Sequence, residues 1–380
     1  MLIKCTKKLL DTLDVKVAKD HQESPLFSWH ANVVTVNHRK TVILLNDLNR
    51  YVIVLYGLKK KDLSNIDKLI FRAMIEIFED ECINEDIIDA YFQQAGEISF
   101  STTDDRSSTS RLNRIADWVH QFHDLLIDDK IIQSPLSMRI SRMLVSAGKG
   151  SQEYLVPVQQ FHKNLEALFG EPIIKCNAVV LKVTLDLDDF DVWRRLIVPM
   201  NTTYTVLHNV LQKAFGWQDC HLHQFFVYRD QKPVNMSMIN HPSFHREGYI
   251  PTLNIVSDEY AFDYPDELEM VWENGLKLSE IPFEHAKYTY DFGDNWQHYI
   301  EVERTIDDFD CNHPVFVDGS GDTPPEDVGS ESGYKNFLYI MSDQEDEDHE
   351  NFKLWAEEQG YRKYDPDFVK KAVERLFGWN

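Results

Sequence analysis

Strands interleaved with helices, with hairpins prominent among the strands, predict an α+β fold in two domains, the second a mostly antiparallel sheet with packed helices. Two further observations support this division. The 380 residues are 43% apolar and 12% aromatic, enough for two hydrophobic cores and too apolar for disorder. The charge divides as well. Residues 1–150 hold 20 Lys and Arg against 21 Asp and Glu, and the remainder hold 19 against 42, so almost all of the net −24 lies in the second half.

In the first domain, residues 1–150, Thr41–Leu45 and Tyr51–Tyr56 are apolar β-branched runs around Asn46-Asp47-Leu48-Asn49-Arg50, a hairpin composition. Ser64 suits a helix N-cap with Asp67 three residues on, and Ile66, Leu69, Ile70, Ala73, Met74, Ile77 and Phe78 follow at helical spacing. A second helix from about Glu85 buries Ile88, Tyr91 and Phe92. After a polar break at Ser101–Ser110, one helix turns Ile115, Trp118, Val119, Phe122 and Leu126 inward, and another spans Ser137–Ser146. The small, polar stretch Ser146–Ser151 reads as a linker, and the helix Pro157–Phe169 suits either domain, so 151–174 is assigned to linker and helix.

The second domain, residues 175–380, begins with strands Ala178–Leu187 and Val192–Val198. Thr203 caps a helix that Gly216 ends. A strand at His221–Tyr228, a long polar stretch with weak signals, and a hairpin at Lys287–Arg304 follow. Met341–Glu350 holds six acids and reads as an exposed loop before two closing helices, the last starting near Pro366.

Composition excludes several functions. No apolar run approaches the roughly 18 residues of a membrane helix. The N-terminal segment is too short and too charged for a signal peptide, and five dispersed cysteines read as reduced thiols, which together predict a cytoplasmic protein. The acidic second half repels phosphate backbones, so nucleic-acid contacts are left open only for the first half, through Lys59-Lys60-Lys61 and Arg106, Arg111 and Arg114. Such short runs are usually solvated surface, and that is the first reading of these.

Four segments of the second half carry polar and aromatic residues where core strands do not need them. Trp193-Arg194-Arg195 offers guanidinium groups that clamp a carboxylate or phosphate, or pair with nearby acids. His221 and His223 sit at i and i+2, on one face of a strand, as two nitrogen ligands for a divalent metal. Asp291 and Asp294 in the following turn, with His298 beyond it, are candidates to complete that site or to orient its histidines. Asp318–Gly329 is a Pro- and Gly-fixed loop that holds Glu326 and Asp327 side by side, for a cation or for backbone amides. A satisfied polar network accounts for the same residues.

In order and spacing, Trp193-Arg194-Arg195, Leu207-His208, Gly216-Trp217 with His221-Leu222-His223, Tyr290-Asp291-Phe292-Gly293-Asp294-x-Trp296-x-His298 and Pro324-Pro325-Glu326-Asp327-x-Gly329 resemble the plasmid pRiA4b ORF-3-like family. The likeness spans residues 175–377. Phe27–Asn32 and Asn49–Ile53 resemble an uncharacterised domain found fused ahead of that family. The resemblance implies an α+β fold of bacterial and archaeal plasmids and mobile elements, with some members labelled resolvase-like. A serine recombinase needs a nucleophilic serine with arginines and a basic DNA-binding region, which the acidic half lacks. Ser330 stands where a second glycine is usual. Thr323 stands where many members carry a cysteine, which argues against a Cys-ligated zinc here.

Three functions follow as expectations. One is a protein- or ligand-binding module whose cleft is formed by Trp193, Arg194, Trp217, Tyr290, Trp296, Glu326 and Asp327. The second is a hydrolase-like, metal-dependent enzyme with His221, His223, His298, Asp291 and Asp294 around a divalent ion and Arg194 holding an anion. The third is a nucleic-acid factor acting through the first domain. The first two require these groups to share one pocket.

Overall fold

The structure, a computed structural model, describes residues 1–18, 23–103, 106–147, 152–170, 172–229, 241–263 and 268–377. The chain divides into two compact units, Met1–Lys175 and Cys176–Asn380.

The first unit opens with β1 (Leu2–Cys5) and α1 (Lys7–Leu10), then a meander of β2 (Ser28–Val36), β3 (Arg39–Asn46) and β4 (Val52–Leu55). Helices α2 (Lys60–Leu63), α3 (Ile66–Asp80) and α4 (Glu85–Ala95) precede β5 (Ser99–Thr102). After α5 (Arg106–Gln121) and α6 (Ser134–Ser141), the short pair β6 (Val145–Ser146) and β7 (Tyr154–Leu155) leads to α7 (Pro157–Phe169). β1 runs parallel to both β2 and β5, giving the order β4-β3-β2-β1-β5. Both faces of the sheet are covered. Leu44 and Ile53 share a core with Ile70, Phe78, Tyr91 and Phe161 of α3, α4 and α7. The alternate residues Ile43, Leu45, Val52 and Val54 pack on Leu112, Ile115 and Val119 of α5 and Ile140 of α6. Burial on both faces is why these strands read as unbroken apolar runs.

Local boundaries depart from expectation. Asn65, not Ser64, precedes α3, because Ser64 closes the short turn of α2. The helix expected over Ser137–Ser146 ends at Ser141, and Ser146 pairs instead with Tyr154. The expected linker therefore lies within the first unit, apart from residues 148–151, which are outside the described residues. α7 buries Phe161 and Leu165 in the first core, so the division falls after Lys175.

The second unit contains β8 (Cys176–Leu185), β9 (Val192–Pro199), α8 (Tyr204–Phe215), β10 (His223–Arg229), β11 (Ile250–Val256) and β12 (Glu269–Trp272). Then come β13 (His285–Tyr290), β14 (Trp296–Phe309), β15 (Val315–Ser320), α9 (Ser330–Ser342), α10 (His349–Glu358) and α11 (Pro366–Phe377). The strand order is β12-β11-β10-β13-β14-β8-β9-β15, antiparallel except for β11 with β12. The Thr203 hydroxyl accepts the Val206 N–H to start α8, and Gly216, at φ +82°, ends it. α8 and α11 supply Leu207, Leu211, Val369 and Val373 to a core with Val183, Leu196, Phe225 and Ile300. The opposite face carries residues 241–249, where the Lys287 ammonium donates to the carbonyls of Pro242 and Phe244 and to Gln297 Oε1. No helix among the described residues is long and apolar enough to cross a membrane.

Candidate functional site

Arg194 points inward from β9, and its surroundings decide its role. Nε donates to Ala214 O at 2.8 Å, Nη1 to Trp193 O at 2.8 Å and Ser320 O at 2.7 Å, and Nη2 to Gly321 O at 3.2 Å and Thr323 Oγ1 at 3.0 Å. All five donors are spent. The guanidinium lies 5.0 Å from the Phe215 ring centroid and 4.3 Å from that of Tyr364, is 2% exposed, and is pushed by burial down to a pKa of about 10. Arg194 is therefore not an anion clamp but a staple between α8 and the loop after β15. Glycine is required beside it, since a Cβ on Gly319 would lie 2.9 Å from Arg194 Cδ and 2.6 Å from Trp193 O. Trp193 faces the other side of the sheet, under the guanidinium of Arg195, which pairs with Glu303 and Asp318. It does not join the other aromatics.

Those aromatics are core, not cleft. Trp217 stacks on Tyr290 at 5.1 Å and Trp296 at 6.0 Å, and all three are at most 3% exposed. The Trp217 indole donates to Pro324 O at 3.1 Å. The Tyr290 hydroxyl donates to Glu326 Oε1, while Glu326 Oε2 accepts the Gln218 N–H at 2.7 Å. Burial, reinforced by Glu326, holds the Tyr290 phenol well above its usual range. Glu326 is itself buried, so it anchors the loop and presents nothing to solvent.

The turn after β13 is held from within. Asp291 Oδ1 accepts the N–H groups of Gly293 (2.9 Å) and Asp294 (3.3 Å), and Asp294 Oδ2 accepts the Gly329 N–H at 2.9 Å. The Asp291 N–H donates to Leu222 O at 3.0 Å. Asp219, Asp291, Asn295, Asp327 and Ser330 all have φ between +54° and +61°, a concentration of left-handed non-glycine backbone around one spot. β10 starts at His223 rather than His221, so the two histidines do not share a strand face. His221 Nε2 lies 3.0 Å from Asp327 Oδ1 and 3.7 Å from Asp291 Oδ2. One ligand atom from each of His221, Asp291 and Asp327 lies within 4.8 Å of the others. Asp327 is half exposed, as are Leu222 and Phe292, which follow His221 and Asp291 in the chain.

The remaining histidines lie elsewhere. His223 donates from Nε2 to Glu273 at 2.8 Å and stacks on His208 at 3.5 Å, with the rings 3° from parallel. His208 bonds Asp219 through Nε2 and the Tyr288 hydroxyl through Nδ1, both at 2.8 Å, and burial followed by the charge of His223 pushes it down to about 4. His298 is buried between Phe215, Trp217 and Tyr288, donates to Tyr288 O, and is pushed by burial to about 3. Neither His223 nor His298 is a ligand of the site at His221. The His208–His223 network was not expected. Its signal was a polar pair, His208 and Gln212, at i and i+4 on the buried face of α8, whereas Glu273 lies in the weakly patterned stretch.

Two outcomes follow. Arg194→Lys keeps the charge but not the five-donor fork, and is expected to lower stability by about 3 kcal/mol in urea unfolding; wild-type stability would contradict the staple. For His298 the folded pKa lies below the unfolded value near 6.5. The unfolded chain therefore protonates first, and stability is complete above pH 6.5 and falls as pH drops towards 3. Between pH 6.5 and 4.5 this group contributes a loss of about 2–3 kcal/mol, which His298→Phe is expected to remove from the urea-midpoint profile. An unchanged slope would contradict it.

Residues 177–372 match the family described as plasmid pRiA4b ORF-3-like protein, and residues 2–160 match a domain of unknown function, DUF6933. A relative from Sinorhizobium fredii (strain NBRC 101917 / NGR234), "Uncharacterized protein y4hQ", is 32% identical over 208 residues, covering 53% of this chain and 92% of its own. A solved structure of a protein of unknown function from Methanosarcina mazei Go1 is 28% identical, covering 50% of this chain and 96% of that one, with a TM-score of 0.39. With Arg194, Trp217, Tyr290 and the Glu326 loop packed as one unit inside the matched region, the chain belongs to the plasmid pRiA4b ORF-3-like family, preceded by a DUF6933 domain.

Proposed function

We propose that the second unit binds a divalent cation through His221 Nε2 and the carboxylates of Asp291 and Asp327, and uses that ion to hold an oxygen-bearing ligand beside Leu222 and Phe292. The convergence of one imidazole and two carboxylates carries this reading. Their 3.0 and 3.7 Å separations bracket the roughly 3.4 Å between tetrahedral ligands set about 2.1 Å from an ion. A mixed nitrogen and oxygen donor set suits zinc, manganese or iron, and three protein donors leave a position open. The acidic second half favours cation capture, and a bound ion locally reverses the field that otherwise repels an anionic partner. Binding is favoured over hydrolysis because Glu326, Asp294 and Asp219 each already accept a hydrogen bond that fixes the surrounding structure.

Protein purified without a histidine tag and stripped with chelator is expected to take up about one zinc or manganese ion per chain on equilibrium dialysis. Asp327→Asn and His221→Gln are each expected to weaken uptake about tenfold or more, whereas Phe292→Ala leaves it unchanged. Wild-type protein that retains no ion, or variants that bind as tightly as wild type, would overturn the proposal.

A further inference from the structure

The first unit carries a cavity of about 570 Å³ that is open on one side. α5 forms one wall: Ser107, Arg111, Arg114 and Trp118 recur at helical spacing and so share a face. Leu45 and Val52 from the sheet and Ile140 from α6 give the rest of the lining an apolar character. Arg50 enters from the β3–β4 turn, where it adopts φ +68°, and its Nη atoms donate to the carbonyls of Ser146 and Ala147. Three guanidinium groups thus meet at one apolar cavity.

Arg114 is exposed and Arg50 and Arg111 are partly buried, so the three groups line the mouth of the cavity. Acids outnumber bases 63 to 39 in this chain, yet among the described residues no carboxylate pairs with Arg111 or Arg114. Burial and the charge of Arg111 both push the Arg50 pKa down. The arginines that serve structure have their donors met: Arg142 forms a two-toothed pair with Glu81, Arg195 is bracketed by Glu303 and Asp318, and Arg194 spends all five donors on four carbonyls and a hydroxyl. The volume falls within the roughly 300–1,000 Å³ of small-molecule sites, which combine apolar walls with a few placed polar groups.

We propose that this cavity binds a small organic anion, its apolar body against Leu45, Val52, Ile140 and Trp118 and its carboxylate, phosphate or sulfonate head on Arg111 and Arg114. The guanidinium fork supplies the head's recognition, and the apolar walls exclude bare inorganic anions by offering them nothing in return for lost hydration. The site is independent of the cation site of the second unit.

Fluorescence titration of the full-length chain with 8-anilinonaphthalene-1-sulfonate tests this, with neutral N-phenyl-1-naphthylamine as the same body without the charge. One saturable site is expected for the sulfonate, with affinity about tenfold or more above that for the neutral probe. Arg111→Gln combined with Arg114→Gln is expected to remove that advantage while far-UV circular dichroism is unchanged. Lys60→Gln combined with Lys61→Gln, which removes equal charge from exposed α2, is expected to leave binding intact. Absence of saturable binding, equal affinity for both probes, or equal loss in the lysine variant would overturn the proposal.

Discussion

The five N–H donors of Arg194 fix where the end of α8 and the loop after β15 must meet. Each goes to an oxygen, four of them backbone carbonyls, and together they tie the end of α8 to residues 320–323. A buried guanidinium is tolerable only when every donor is met, and the fixed fork then dictates where those acceptors must be. From that anchor the loop is fastened at three further points: Trp217 to Pro324, Tyr290 and Gln218 to Glu326, and Asp294 to Gly329. Asp327 falls between the last two, and its approach to His221 follows from fastenings on both sides.

Residues that looked like recognition chemistry are thus divided by burial. Arg194, Trp217, Tyr290, Trp296 and Glu326 form the buried frame, while His221 and Asp327 reach solvent with Asp291 buried beside them. Backbone strain follows the same division. Asp291, Asn295, Asp327 and Ser330 hold positive φ at the rim of the site, a conformation costing about 1–3 kcal/mol each that only a well-fastened surround sustains. Ser330 is one of them. Thr323 uses its hydroxyl to accept from Arg194.

Much of the fold was legible because its periodicities are clean. The caps of α8 at Thr203 and Gly216, the hairpin of β13 and β14, and the amphipathic face of α3 all lie where local chemistry placed them. β11 was not legible, since Pro251 and Asn254 interrupt its apolar pattern, and its pairing comes from β10 on one side and β12 on the other. The site was legible in its members but not in their partners. An i, i+2 pair implies a shared face only on a regular strand, and the left-handed Asp219 delays β10 until His223. Distances between Asp327 and His221 arise from sheet topology, which no local pattern carries.

The charge distribution links the two proposed sites without requiring contact between units. The acidic second half carries the proposed cation site at His221, Asp291 and Asp327, while the nearly neutral first unit places three arginines at one cavity. The central claim is that fastening the 320–329 loop makes His221, Asp291 and Asp327 a cation site. Anomalous diffraction from crystals grown with manganese tests it most directly. The account predicts a peak about 2.0–2.3 Å from His221 Nε2 and from an oxygen of each aspartate. A map with no peak there, and His221 still bonded to Asp327, would contradict it.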